Sequence, residues 1–270
     1  MEPVLLFTVL LVGAAAGILG ALFGLGGGIV IIPILTAVYG LPIVDAAAVS
    51  LVGIVATSVG GTVYYLEKGV TNIRLGLFLE ISTVVGSVIG AFLALIMQEW
   101  IIMVIYAGVV LLGAAKMIAN PHFDAEENEN GEFSYTDLKT GKRIGYDVKH
   151  KKSGSAICVV AGMISSLTGV GGGVVKVPAM NILMNVPMKA ATATSSYMIG
   201  ITAFSGSMIF LVNGVLQLDV AGFVAIGTFL GAIVGSRLSK RFDSGSMKKY
   251  FSVLMILVAA VMLLQAGGIL

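Results

Sequence analysis

The sequence predicts an all-α polytopic membrane protein. It would consist of two inverted repeats, each of about five hydrophobic segments, with broken or half-helices at a duplicated glycine motif. Composition is the first observation behind this reading. Of 270 residues, 57% are hydrophobic and 11% charged, with a mean hydropathy of +1.02, whereas a soluble domain is roughly a quarter charged. Thirteen of the thirty charged residues lie between positions 124 and 152, which leaves the rest too few to coat a water-facing surface. The second observation is a series of nearly ten apolar runs, most of them near the ~20 residues that span a bilayer. The third is a register: an offset of 145 lays residues 17–90 on the second half without a gap.

The first repeat, residues 1–119, holds apolar runs at about 4–23, 28–40, 43–65, 75–97 and 101–118. The opening run follows Met1-Glu2-Pro3, an acidic start with no polar break after it, so it reads as a first helix rather than a cleaved leader. The second run is too short to cross a bilayer straight. It follows Gly24-Leu25-Gly26-Gly27-Gly28, and four glycines in five residues disfavour continuous helix because each costs about 1 kcal/mol relative to alanine. The third run carries Ser50 and Thr57. The fourth carries Glu80 and the pair Gly86/Gly90, a spacing that suits close helix crossing.

The polar segment 120–153 follows. Within it, Phe133-Ser-Tyr135-Thr-Asp137 and Arg143-Ile144-Gly145-Tyr146-Asp147-Val148 alternate around Thr140-Gly141. That pattern reads either as a small β-hairpin or as a solvated linker. The second repeat, residues 154–270, has runs at about 155–168, 173–185, 189–212, 219–236 and 247–268. Its short run again follows a glycine block, Gly169-Val170-Gly171-Gly172-Gly173. In the shared register Pro33 falls on Pro178, Pro42 on Pro187, Ser50 on Ser195, Thr57 on Thr202, and Gly86/Gly90 on Gly231/Gly235. A run of Gly and Pro in one register points to duplication rather than to chance apolar similarity.

Basic residues favour the cytoplasmic side and so set the expected orientation. The central segment carries Lys139, Lys142, Arg143, Lys149, Lys151 and Lys152, and the connection 236–249 carries Arg237, Lys240, Arg241, Lys248 and Lys249. Both are expected inside. The counterpart of the latter, 97–101, holds only Glu99, while 66–74 holds Lys68 and Arg74 and its partner 211–219 has no basic residue. The halves are therefore expected to be inverted, as five passes per half require. Both termini would be external in a multi-pass protein of the cell membrane.

Several functions are disfavoured. A formal net charge of +2 gives no basic field for nucleic acid. Cys158 is the single cysteine, so no intramolecular disulfide or cysteine metal cluster is expected. His122 and His150 both fall in the polar segment and read as solvent-facing. No cofactor or metal is implied. The glycine blocks do not continue to Gly-Lys-Ser/Thr and do not fit GxGxxG. An intramembrane enzyme lacks HExxH and any Ser–His pair.

The glycine blocks themselves carry the chemistry. Irregular backbone at membrane depth is tolerated only when buried in protein or lining a cavity. Each block precedes a short helix whose free N–H groups and dipole suit an anion, and inverted repeats can bring two such termini together near the midplane. The alternative is that the glycines serve only close crossing. Lys176, three residues past Gly173, aligns with Ile31. With no acid at helical spacing it is either an anion ligand or a lysine that snorkels or pairs structurally. The hydroxyls of Ser50, Thr57, Thr194, Ser195 and Thr202, together with Asn181, could donate to an oxyanion or bond backbone instead. Glu80 could relay a proton or pair locally with Arg74.

Two copies of GxGGG-x4-Pro in a chain of this size resemble the TauE/SafE sulfite exporter family (TSUP), over almost everything except 120–153. The resemblance implies transport of small sulfur-containing anions, sulfite or organosulfonates such as sulfoacetate, by export. It places the family signature on Gly24, Gly26, Gly27, Gly28 and Pro33, and on Gly169, Gly171, Gly172, Gly173 and Pro178. The expected function is a secondary transporter working by alternating access across the lipid bilayer. A passive anion channel is the alternative. No ATP-binding motif is present, so the driving force would be ion coupling or the membrane potential. The oligomeric state is not legible.

Overall fold

The computed structural model describes residues 3–119, 128, 131–241 and 244–267. The first half forms α1 (Pro3–Phe23), α2 (Gly28–Ala37), α3 (Ile43–Glu67), α4 (Ile73–Ile96) and α5 (Glu99–Ala119). Strands β1 (Phe133–Thr136) and β2 (Arg143–Tyr146) follow. The second half forms α6 (Lys151–Thr168), α7 (Gly173–Pro178) running into a π-helical turn (Ala179–Leu183), and α8 (Met188–Val212). It ends with α9 (Leu218–Leu238), a 3₁₀ turn (Ser239–Arg241) and α10 (Ser244–Ala266). Among the described residues, four helices, Ile43–Glu67, Ile73–Ile96, Met188–Val212 and Leu218–Arg241, are long and apolar enough to cross a membrane. Their outer faces carry bare hydrophobic side chains, among them Ile81 (72% exposed) and Phe92 (53%) on α4 and Phe204 (56%) on α8. A soluble protein would cover a belt of that extent.

The short helices correct one expectation. α2 and α7 are not separate passes. The Thr8 and Tyr39 hydroxyls lie 2.6 Å apart, so the chain descends through α1, turns at the first glycine block and returns through α2 towards its starting end. The Lys149 N–H donates to the Met184 carbonyl at 3.0 Å, and α6 with α7 makes the same return from the opposite end. Ten residues in α2 reach only about 15 Å, half the ~30 Å hydrocarbon thickness. Each half thus has one helical hairpin that turns back at its glycine block, followed by three longer helices.

The halves interlock through glycines. α1 lies along α9 and α4 along α6, so the first helix of each half packs on the fourth of the other. A Cβ on Gly86 or Gly90 would strike the Val159 or Met163 carbonyl, and one on Gly231 or Gly235 would strike that of Ala14 or Ile18. Each of these contacts recurs at an offset of 145. Only glycine lets two backbones approach so closely. α3 and α8 cross antiparallel: the Ser58 hydroxyl donates to the Ser196 carbonyl at 2.6 Å, and Leu51 lies against Gly206.

The polar segment is docked rather than solvated over its described residues. β1 and β2 pair antiparallel from Phe133↔Tyr146 to Thr136↔Arg143, and Gly141 makes the turn with φ 69°. Tyr135 and Tyr146 are buried in a second hydrophobic core with Tyr65, Leu79, Met180, Met184 and Met198. The Thr136 N–H donates to the Gly69 carbonyl, and Asn72 Nδ2 donates to the Tyr146 hydroxyl at 2.8 Å. The buried Tyr146 phenol is pushed up to about 12 by desolvation, with Asn72 opposing. His150 is exposed, with φ 49°. His122 lies outside the described residues.

Gly86→Leu should abolish the close α4–α6 approach and with it the folded state, read as loss of a monodisperse peak in detergent. Gly222→Ala on the exposed face of α9, where an added Cβ meets nothing within 4 Å, should leave the thermal midpoint unchanged or raise it slightly, because helix propensity favours alanine by about 1 kcal/mol.

Candidate functional site

Each glycine block is a left-handed turn that releases a helix start. Gly24, Gly26 and Gly27 have φ of 71°, 84° and 84°, and Gly169, Gly171 and Gly172 have 72°, 93° and 67°, a region costly for any residue with a Cβ. α2 and α7 therefore begin at Gly28 and Gly173. The N–H groups of Gly27, Gly28 and Ile29, and of Gly172, Gly173 and Val174, have no backbone acceptor among the described residues. Pro33 inside α2 cannot donate to the Ile29 carbonyl, and the Tyr106 hydroxyl donates to it instead at 3.1 Å. Pro178 ends α7 where the helix widens into the π turn.

The two blocks meet. A Cβ on Gly28 would hit the Gly169 carbonyl, and one on Gly173 the Gly24 carbonyl. The Ser195 hydroxyl donates to the Gly24 carbonyl at 2.7 Å, and the Ser50 hydroxyl to the Gly169 carbonyl at 2.8 Å. Each serine thus ties its own half to the glycine block of the other. Ile54 and Ile199 close over Gly26, and Ile54 also over Gly171.

Beside the second block the register breaks into a polar cluster. Lys176, on the first turns of α7, has no exposed surface. Its ammonium donates to the Thr202 hydroxyl on α8 at 2.8 Å and faces Glu80 Oε2 on α4 at 3.4 Å. The Thr202 hydroxyl donates to Glu80 Oε1 at 2.5 Å. The symmetry-related positions are Ile31, Thr57 and Ala225, and among the described residues Thr57 donates to the Gly53 carbonyl of its own helix at 2.9 Å. Ser165, against Gly172, is fully buried with no hydrogen-bond partner among the described residues; its counterpart is Gly20.

One local expectation is corrected here. Lys176 is paired, one of the alternatives the sequence leaves open, with an acid from another helix 96 positions away. Glu80 pairs with Lys176 and Thr202, not Arg74, because the inner face of α4 turns it inwards, away from the helix end. The other expected donors stand elsewhere. Thr194 accepts the Asn72 N–H at 3.0 Å. Asn181 Nδ2 donates to the Val186 carbonyl at 2.9 Å, with its Oδ1 buried and unpartnered. Sequence reasoning missed Tyr106 and Ser165. A missing donor at Pro33 with a tyrosine available, and the Gly20/Ser165 mismatch, were the signals that could have found them.

The profile of the sulfite exporter TauE/SafE family matches residues 9–262. The chain belongs to that family. It is 28% identical to the "Probable membrane transporter protein YunE" of Bacillus subtilis, over 96% of this chain and 98% of that one. A "Probable membrane transporter protein" of Haemophilus influenzae is 29% identical, over 95% and 97%. One of Methanocaldococcus jannaschii is 25% identical, over 96% of each. No solved structure matches. As a TauE/SafE family member the protein is a membrane transporter and not an enzyme.

The hairpin core abuts the cluster through Leu79 and Met198, and Lys189 of α8 holds the hairpin by a 2.5 Å ion pair to Asp137. Burial alone would raise the Asp137 carboxyl. Hydrogen bonds from Lys189, the Lys139 N–H and Thr140, with the charge of Lys189, hold it below the usual range. A depressed folded value means the anchor is at full strength above the unfolded value of about 3.9 and is lost as pH falls through the folded one. Hydrogen exchange of the β1–β2 amides should therefore be pH-independent in protection between about pH 5 and 8 and lose protection below about 4. Asp137→Asn should show reduced protection throughout and no added acid step.

Proposed function

We propose that this family member is a secondary transporter of small sulfur-containing oxyanions, sulfite or organosulfonates, moving them outwards by alternating access between inverted halves. The observation that carries the reading is the meeting of two glycine-released helix N-termini, with free N–H groups, beside the ammonium of Lys176. N-terminal N–H groups and a buried cation replace the water that an oxyanion must shed. Gly24, Gly26 to Gly28, Gly169 and Gly171 to Gly173 shape the cradle, with Pro33 and Pro178 fixing the helices that leave it. Ser50 and Ser195 hold its halves together, and Ser165 adds a free hydroxyl. Closure of Ile54 and Ile199 over the glycines favours a gated carrier over an open pore.

The distribution of charge supports inversion. The hairpin, the 68–72 turn and the Lys189 end of α8 share one end of the molecule, and the basic residues cluster there. That end would be cytoplasmic in the cell membrane, with both termini outside. Cysteine labelling of sealed cells in a Cys158-free background should reach the termini and spare positions 139–152. Labelling of the central segment would reverse the assignment.

Binding of sulfite, sulfate, thiosulfate and sulfonates to purified protein tests the site. Lys176→Met alone would strand Glu80 in the interior, so Lys176→Met is combined with Glu80→Gln. The double variant should fold and lose one to two decades of affinity, since a charge-assisted hydrogen bond is worth about 1.5–3 kcal/mol. Normal binding by the folded double variant would remove Lys176 from the site.

A further inference from the structure

Lys176 and Glu80 form an ion pair that the fold does not need for symmetry. Across the register the positions of Lys176, Glu80 and Thr202 correspond to Ile31, Ala225 and Thr57, and none of these carries a charge. Both members of the pair are buried, with side chains 0% and 4% exposed. Taking two charges out of water costs several kcal/mol each, so a pair retained on one side only is a candidate for function.

The geometry within the cluster is uneven. Glu80 Oε1 is held by the Thr202 hydroxyl at 2.5 Å, whereas Oε2 stands 3.4 Å from the ammonium. Charge-assisted N–H···O bonds close to roughly 2.7–2.9 Å, so the lysine is apposed to its carboxylate rather than locked to it. An ammonium has three donors, and Thr202 and Glu80 take two. From α7 Glu80 is faced by Lys176 and from α8 by Thr202. From α6 the neighbouring titratable group is the Cys158 thiol.

Charge balance then constrains what happens when an anion arrives. One cation facing an ionised carboxylate is a neutral cluster. A monovalent anion added at Lys176 would leave one uncompensated negative charge in the interior. A proton added to the Glu80 carboxylate restores neutrality: the Lys176–Glu80 ion contact breaks, an O–H bond forms on Glu80, and the ammonium turns to the anion.

We propose that the Glu80 carboxylate is a built-in competitor for Lys176, displaced by the transported anion together with one proton, so that a monovalent anion and a proton travel in the same direction as an electrically silent pair. This rests on the anion-transport reading above and adds its coupling ion. Thr202 serves both states, accepting from Lys176 and bonding Glu80 whether or not the carboxyl carries a proton. Outward movement, as proposed above, then requires an outward anion gradient that exceeds any inward proton gradient.

The test uses the purified full-length protein and methanesulfonate, whose charge does not change between pH 5 and 8. Binding is measured with a pH indicator in weakly buffered solution. Wild type should take up about one proton per anion bound, and its apparent affinity should weaken about tenfold per pH unit once Glu80 is ionised in the empty site. Glu80→Gln mimics the protonated carboxyl. It should bind without proton uptake and with no pH dependence. Binding by wild type with no proton uptake, or proton uptake that persists in folded Glu80→Gln, would refute the coupling while leaving the anion site standing. Failure of wild type to bind methanesulfonate, sulfite or any other sulfonate would remove the anion site and the coupling together. The wild-type proton count decides the matter even if the variant does not fold.

Discussion

The contact between the two glycine blocks is the constraint on which the rest of the structure depends. The Gly24 and Gly169 carbonyls sit where side chains on Gly173 and Gly28 would have to be. That approach forces irregular backbone into the interior, and irregular backbone there must be satisfied by protein. Ser195 and Ser50 supply the hydrogen bonds, each from the half opposite the block it serves. The same contact makes α1–α2 and α6–α7 turn back on themselves. It also leaves the N-termini of two short helices pointing at the centre of the molecule with donors to spare.

Around that centre the two halves are alike in backbone and unlike in charge. The close glycine crossings of α1 with α9 and of α4 with α6 recur position for position at an offset of 145. Three of the differences bear on the polar cluster. Ile31 has become Lys176, Ala225 corresponds to Glu80, and Gly20 to Ser165. The result is a shared scaffold with one polar cluster, where Lys176, Glu80 and Thr202 meet. The docked hairpin adds a second asymmetry, since its tyrosines fill a core at one end that no counterpart fills at the other.

Much of this was legible in the sequence, for identifiable reasons. A backbone that requires positive φ selects glycine and a helix that must stop selects proline, so the register of both blocks could be read directly. The alternation around Thr140-Gly141 marked β1 and β2 because strands have a period of two. What was not legible depends on distance. The Lys176–Glu80 pair joins helices 96 positions apart, and no local spacing announces it. Thr57 and Thr202 are identical in register, yet one bonds its own helix and the other bridges an ion pair, because the residue facing them is Ala225 in one case and Glu80 in the other. The docking of the hairpin was hidden for the same reason: alternation reveals a strand and not the surface it covers. The re-entrant course of α2 and α7 was half visible, as runs too short to cross, while the direction of return needed the Thr8–Tyr39 and Lys149–Met184 bonds.

The central claim is that a small oxyanion sits where the glycine-released helix starts meet the Lys176 ammonium. Selenite, the selenium analogue of sulfite, scatters anomalously and can be located directly in crystals of the protein. The account predicts an anomalous peak within hydrogen-bond reach of Lys176 Nζ and of the N–H groups of Gly172 and Gly173. A peak confined to the protein surface, or continuous helix through residues 26–28 and 171–173 with no peak between them, would contradict it.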